Sequence, residues 1–75
     1  MMIPSNYYIN VAREGVYRKD RYNPRGLGHY CRIELGEVLP ETAMERFREL
    51  KRMFPESEFE LKLYYVSCNG REVKE

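Results

Sequence analysis

Residues 40–54, PETAMERFRELKRMF, decide the fold. Apolar side chains recur along this stretch at intervals of three and four residues, which places them on one face of a helix. The members of that apolar stripe are Ala43, Phe47, Leu50 and Phe54, with Met53 widening it and Met44 beside it. Pro40 suits the first helical turn, because its missing N–H has no partner there, and Pro55 forces the helix to end. The sequence therefore predicts one amphipathic helix that must cover an apolar surface elsewhere in the chain.

Strand patterns lie on both sides of this helix. Apolar and polar residues alternate in residues 6–12 and 29–35 before it and in residues 58–67 after it. Gly15 follows the first of these strands, where a short hairpin loop demands a positive φ, and Gly36 is predicted to stop the second.

Two shorter segments are less regular. Residues 16–22 alternate only weakly and fit either a returning strand or a mobile basic loop. The Asn69-Gly70 dipeptide is typical of a tight turn, so residues 71–74 are predicted to fold back as a short edge strand.

One helix on such strands predicts a two-layer α+β fold. The helix packs on a mostly antiparallel sheet of three or four strands in β-β-(β)-α-β order, and residues 1–75 form a single small domain. The predicted core contains Tyr7, Ile9, Val11, Cys31, Ile33, Leu35, Phe47, Leu50, Phe54, Phe59, Leu61 and Leu63. Since one helix covers one face of the sheet, the other face must meet water or a partner.

Composition narrows the classes of function. The longest unbroken apolar run is Tyr64-Tyr65-Val66, whereas a membrane-spanning helix needs about 20 apolar residues. The first residues lack the features of a signal peptide, so we expect a cytoplasmic protein with no membrane association. Cys31 and Cys68 are interpreted as reduced thiols packed as small apolar side chains, although the sequence leaves their pairing open.

No constellation typical of catalysis is present. His29 and Cys31 are spaced for one strand face, but nothing in the sequence supplies an oxyanion hole or a third group. Two separated cysteines and one histidine do not match the spacing of a zinc site. We therefore expect a protein that is not an enzyme and that has no metal and no cofactor.

Charge is concentrated in residues 13–32. Six basic side chains stand there against two acidic ones, while the whole chain has a net charge of only +1. Tyrosine and arginine are enriched at the energetic centres of protein interfaces, which favours this segment as a docking surface for an acidic protein. The predicted docking residues are Tyr17, Arg18, Lys19, Arg21, Tyr22 and Arg25.

The uncovered sheet face suggests an alternative, a binding site for single-stranded nucleic acid. Bases stack on aromatic rings and phosphates contact cations on such a face. The residues predicted to provide this surface are Tyr8, Tyr30, Arg32, Lys62 and Tyr64. Glu34 and Glu60 on the same predicted face argue against it, and homodimerisation through that face is a further explanation for its exposed tyrosines.

Three short motifs resemble a class of small accessory proteins encoded by bacteriophages and mobile elements. They are Tyr7-Tyr8-Ile9-Asn10-Val11, Glu14-Gly15, and Phe54-Pro55-Glu56 before a strand. The resemblance spans most of the chain, although residues 23–36 look like an insertion. It implies a protein that binds host or phage machinery, for example an inhibitor of a host defence complex such as an anti-CRISPR protein, and that acts by occlusion without catalysis.

Overall fold

The part of the chain that the structure describes forms one sheet and one helix. The computed structural model describes residues 3–66 and 70–74. The elements, in chain order, are β1 (Ser5–Arg13), β2 (Gly28–Val38), α1 (Pro40–Met53), β3 (Phe59–Tyr65) and β4 (Arg71–Val73). The strands pair antiparallel in the order β2-β1-β3-β4, and α1 packs on one face. The predicted two-layer α+β fold is confirmed, with four strands.

The inner strand β1, which pairs with both β2 and β3, shows the two faces of the sheet most clearly. Its residues Tyr7, Ile9 and Val11 are buried, whereas the residues between them are only half-buried. Ile9 lies opposite Ile33 of β2 and Leu63 of β3, so an apolar row crosses three strands beneath the helix. This alternation in steps of two directs every second side chain of β1 towards α1.

The core lies between that row and the apolar stripe of α1. Ile9, Val11 and Leu63 have no exposed surface, and full burial of such side chains contributes roughly 1.5–3 kcal/mol each. The helix adds Ala43 and Phe47, both buried. All twelve side chains of the predicted core belong to this cluster, either buried or half-buried against it.

Met53 is the exception to the predicted helix stripe. It is 69% exposed, so the prediction that it widens the buried stripe is wrong. It is the last residue of α1 and borders an open groove beside β2, together with Ile33 and Leu35. Since β2 is the outermost strand on this side, the sheet ends before it reaches the Met53 side chain.

One further prediction about the strands is wrong, and one alternative that the sequence left open is now decided. Gly36 does not stop β2, because the bulge between Tyr7 and Tyr8 accommodates the glycine at φ +75° and pairing continues to Val38. Residues 16–22 form no strand and belong to the loop between β1 and β2.

The second half of the chain follows its prediction closely. Pro40 stands at the start of α1, and the helix ends just before Phe54 and Pro55. The predicted edge strand is present as β4, which pairs with β3. Gly70 has the positive φ, +53°, expected of a turn, while Cys68 and Asn69 lie outside the described residues. Because Cys68 is not described, the question of a Cys31–Cys68 disulfide also falls outside the described residues.

No helix formed by the described residues combines the length and the apolarity that crossing a bilayer requires. The one helix among them, α1, has 14 residues.

Candidate docking loop

The loop that joins β1 to β2, residues 14–27, contains all six predicted docking residues and is held by backbone hydrogen bonds. The amide of Gly15 donates to the carbonyl of Arg25 at 3.0 Å, and the amide of Tyr17 donates to that of Gly26 at 3.0 Å. The amide of Glu14 donates to the carbonyl of Glu58 at 2.8 Å, which ties the base of the loop to the residue before β3. The first two bonds pair the two sides of the β1–β2 loop at its base, and the third attaches that base to the sheet.

Side chains fix the far end of the same loop. One Asp20 carboxylate oxygen accepts hydrogen bonds from the amides of Tyr22 and Asn23, each at 2.8 Å, and so closes a tight turn. The Asn23 side chain donates to the carbonyl of Leu27 and accepts from its amide, both at 3.0 Å. The β1–β2 loop is therefore ordered by its own polar groups, although the sheet ladder does not extend into it.

Two buried glycines allow the sides of the loop to approach each other. Gly26 has φ +64°, and a Cβ added there would lie 2.3 Å from the carbonyl oxygen of Tyr17. A Cβ added at Gly28 would lie 2.5 Å from a methyl carbon of Val16. Any larger residue would force the two sides apart.

Glu14 links two of the loop cations. Its carboxylate receives the Arg25 Nε at 3.2 Å and the Lys19 Nζ at 3.3 Å. The hydrogen bond from Arg25, followed by that from Lys19, lowers the pKa of the Glu14 carboxyl below its ordinary value of 4.5. Arg25 also donates from Nη2 to the carbonyl of Glu56 at 2.7 Å. Lys19 and Arg25 thus both cross-link the loop through the Glu14 carboxylate, Lys19 from its exposed surface.

The other predicted docking residues project into solvent. Tyr22 is 88% exposed and Tyr17 is 63% exposed. Arg18 and Arg21 are exposed as well, and among the described residues neither has an ion-pair partner. The Arg21 guanidinium lies 5.7 Å from the centre of the Tyr22 ring. These four residues, Tyr17, Arg18, Arg21 and Tyr22, are named the loop tip for their exposed side chains. Tyr17 lies where the base passes into the tip, since its amide bonds Gly26 and its ring lies beside Gly28.

Tyr30 does not join the open sheet face predicted for it. The bulge between Val11 and Ala12 leaves Tyr30 without an opposite residue on β1. Its ring contacts that of Phe59 edge to face at 5.4 Å, with the Arg13 guanidinium 5.6 Å from its centre. Tyr30 is itself the extra residue of this bulge. Because Phe59 packs against the core, the contact places the Tyr30 ring on the helix side of the sheet.

The structure does bring together Tyr8, Arg32 and Tyr64 on the open face. The rings of Tyr8 and Tyr64 stack at 5.2 Å with an angle of 13° between their planes. The Arg32 guanidinium lies over the Tyr8 ring at 3.7 Å from its centre. Arg32, Tyr8 and Tyr64 stand on β2, β1 and β3, so the Tyr8 ring is sandwiched between cation and ring. That stack leaves Tyr8 little ring surface for a base.

The cations of the open face are already paired with acids. Lys62 Nζ lies 3.6 Å from a carboxylate oxygen of Glu60, and Arg32 pairs with Glu34. Glu72 of β4 stands opposite Tyr64 on the same face. Glu37, opposite Asn6, adds a fourth strand carboxylate to this face, against the two cations Arg32 and Lys62. Such a surface attracts phosphates weakly, whereas a single-strand binding groove must attract them.

Several residues of the loop were not identified by their sequence pattern. Arg25 bonds Glu14, 11 residues away, and Glu56, 31 residues away. No local pattern reveals partners at such distances, so the roles of Glu14 and Arg25 in holding the loop were missed. Asn23 gave a local signal, since Asn-Pro initiates turns, and its bonds to Leu27 follow from that turn.

Two open grooves indent the surface beside α1. A groove of about 380 Å³ runs between α1 and β2, and one of about 430 Å³ lies between the end of α1 and the start of β3. The described residues include no group of three or more His, Cys, Asp or Glu side chains arranged to hold a metal ion.

Comparisons of the chain with protein-family models, with curated proteins and with solved structures find no match.

Proposed function

We propose that this protein is a non-enzymatic binding protein that docks on an acidic protein surface through the tip of its β1–β2 loop. The observation that carries the proposal is the contrast within that loop. Its base and turn are fixed by hydrogen bonds, whereas Tyr17, Arg18, Arg21 and Tyr22 are presented to solvent.

Order in the free loop supports binding because it reduces the entropy lost on association. Immobilising a flexible side chain or loop at an interface costs about 0.5–1.5 kcal/mol for each mobile side chain, and a preformed loop avoids part of this cost. The Asp20 turn and the Glu14 ion pairs set the backbone that carries the tip before any partner is present. Loops on a rigid scaffold are where binding residues concentrate.

The chemistry of the tip indicates the type of partner. Tyr17 and Tyr22 offer large ring surfaces with a polar end, which no packing within the chain uses fully. The guanidinium groups of Arg18 and Arg21 bind carboxylates in a two-pronged geometry. An acidic protein surface with apolar patches between its carboxylates complements this combination.

The action that follows from such docking is occlusion or bridging. The resemblance to accessory proteins of bacteriophages and mobile elements suggests a host or phage macromolecule as the target, for example a defence complex in the bacterial cytoplasm. A protein of 75 residues that binds through one loop can block a surface of its partner without chemistry.

The experiment is an affinity capture from bacterial lysate, treated with nuclease, with two charge-reversal variants. Arg18→Glu/Arg21→Glu reverses the charge of the loop tip and spares Arg25, which the loop needs for its structure. Arg71→Glu/Lys74→Glu makes the same charge change at the opposite end of the sheet, on exposed residues. Thermal unfolding of each variant verifies that the fold is retained.

We expect the wild type and the Arg71→Glu/Lys74→Glu variant to capture the same protein band, and Arg18→Glu/Arg21→Glu to lose it. Equal capture by both variants would remove the loop tip from the interface. A captured band that disappears when nuclease is added would instead show that nucleic acid is the partner.

A further inference from the structure

β2 forms one edge of the sheet and is unusually long for an edge strand. It has 11 residues, with bulges at Tyr30 and Leu35 on either side of a regular stretch, residues 31–34, and no other strand of the described residues pairs with its outer side. An edge strand presents a row of N–H and C=O groups that can pair with another chain. The opposite edge, β4, has only three residues.

The charges of β2 are arranged around Ile33 as a self-complementary pair. Arg32 precedes Ile33 and Glu34 follows it, and both side chains lie on the open face. If two copies of β2 pair antiparallel with Ile33 opposite Ile33, each Arg32 stands opposite Glu34 of the second copy. Opposite charges in directly facing positions stabilise a strand pair.

The neighbouring registers are disfavoured by the same charges. Centring the pair on residue 32 would place Arg32 opposite Arg32 of the second copy, and centring it on residue 34 would place Glu34 opposite Glu34. Like charges directly opposite each other destabilise a strand pair. A shift by one residue in only one strand would put the two helices on opposite faces of the sheet. Among these registers, the Ile33-centred one alone matches the charges.

The groove beside β2 is also lined by Thr42, Arg46 and Glu49, but it contains an apolar strip that supports the same arrangement. Ile33, Leu35 and Leu50 line it, and Met53, which is 69% exposed, borders it. Residues directly opposite in an antiparallel pair point to the same face, so a two-fold axis through Ile33 would place both helices on one side. The two grooves would then meet and cover apolar surface that is open to water in the single chain.

We propose that the protein forms a homodimer through antiparallel pairing of β2 with β2 of a second copy, centred on Ile33. The product is a continuous eight-stranded sheet with both helices on the same face. This inference does not depend on the proposed docking function, since the β1–β2 loop enters β2 at Gly28, one end of the strand.

The charge pattern provides a complementation test in full-length protein. Arg32→Glu leaves each copy with two acidic residues around Ile33, and Glu34→Arg leaves each copy with two basic ones. In a dimer of either variant, positions 32 and 34 of the two copies carry like charges opposite each other. In a mixed dimer of the two variants, the same positions carry opposite charges. Glu72→Arg, which makes the same charge change as Glu34→Arg at the opposite edge, is the matched control. Native mass spectrometry and sedimentation velocity measure dimer content.

We expect the wild type and Glu72→Arg to dimerise with equal association constants. Each single variant at positions 32 and 34 should lose about tenfold in that constant, because two facing pairs change from attraction to repulsion. Mixing the two variants should produce a heterodimer at or near the wild-type constant, and that recovery also shows that both variants fold.

Two results would overturn the proposal. A wild type that remains monomeric at millimolar concentration would show that the charges of β2 only protect the edge from association. A dimer that both single variants retain, without preference for the mixed species, would show that the copies meet on another surface, such as the open sheet face.

Discussion

Glu14 is the residue on which the charge balance of the β1–β2 loop depends. Its carboxylate accepts from Arg25 at 3.2 Å and from Lys19 at 3.3 Å, and so joins two cations that would otherwise repel each other. The sequence placed both cations among the docking residues, and the structure shows that they also stabilise the loop internally. The exposed cations of the tip are Arg18 and Arg21.

Glu14 therefore makes the loop sensitive to acid. The pKa of Glu14 is lower in the folded protein than in the unfolded chain. Its contribution to stability is therefore complete at pH values above about 4.5 and is lost as the pH falls through the folded-state pKa. We expect carboxyl-detected NMR to give a Glu14 pKa below 4.5. In Glu14→Gln, the protection factors of the loop amides, which are corrected for the intrinsic pH dependence of exchange, should no longer fall over this acidic range. A Glu14 pKa at or above its ordinary value would contradict the ion pairs.

At the scale of the element, two glycines of the β1–β2 loop make a matched pair. Gly15 and Gly26 both have positive φ, +81° and +64°. A Cβ on Gly15 would meet nothing within 4 Å, whereas a Cβ on Gly26 would lie 2.3 Å from the Tyr17 carbonyl oxygen. The two positions share backbone strain and differ in steric space.

Alanine substitutions separate these two effects. Gly15→Ala should cost about 1–2 kcal/mol of unfolding free energy, the usual penalty for a left-handed residue with a Cβ. Gly26→Ala should cost clearly more, because the loop must also open around Tyr17. Urea denaturation of both variants measures the difference. Equal costs would mean that the sides of the loop do not approach as closely as the structure indicates.

The strands β1 and β2 show why an element's pattern does not fix its register. Alternation predicted both strands, but each bulge shifts the pairing by one residue and changes which side chains share a face. One bulge moved Tyr30 to Phe59, and the other let β2 continue beyond Gly36. A bulge depends on contacts between two strands, so neither strand displays it alone.

At the scale of the whole molecule, one helix on a four-stranded sheet leaves one face without a covering layer. Tyr8, Tyr64 and Arg32 stack across three strands of that face. Stacked rings and a cation over a ring each add about 0.5–1.5 kcal/mol beyond the burial of their surface. The stack therefore stabilises the sheet where no helix covers it.

This stack predicts the outcome of a nucleic-acid binding assay. Tyr64→Ala should lower the unfolding free energy by about 0.5–1.5 kcal/mol, because Tyr8 loses its ring partner. Tyr22→Ala, on an 88% exposed ring, should leave stability unchanged and is the control. In fluorescence anisotropy with oligothymidine at low salt, we expect Tyr64→Ala to bind no more weakly than the wild type. Salt-dependent binding that falls by about 1–3 kcal/mol in Tyr64→Ala would instead support the open face as a nucleic-acid site.

The sequence by itself determined the layers, the helix from Pro40 onward and the core. These depend on periodicity, and periodicity is a local property: a stripe such as Ala43 and Phe47, or an alternation such as Tyr7, Ile9 and Val11, is buried whatever the strand order. Only the tertiary structure decided the strand order β2-β1-β3-β4, the two bulges and the division of the loop cations into those paired with Glu14 and those without an ion pair among the described residues. Those features depend on partners far apart in the chain, such as Arg25 and Glu56, and such pairs are selected by the packed fold as a whole.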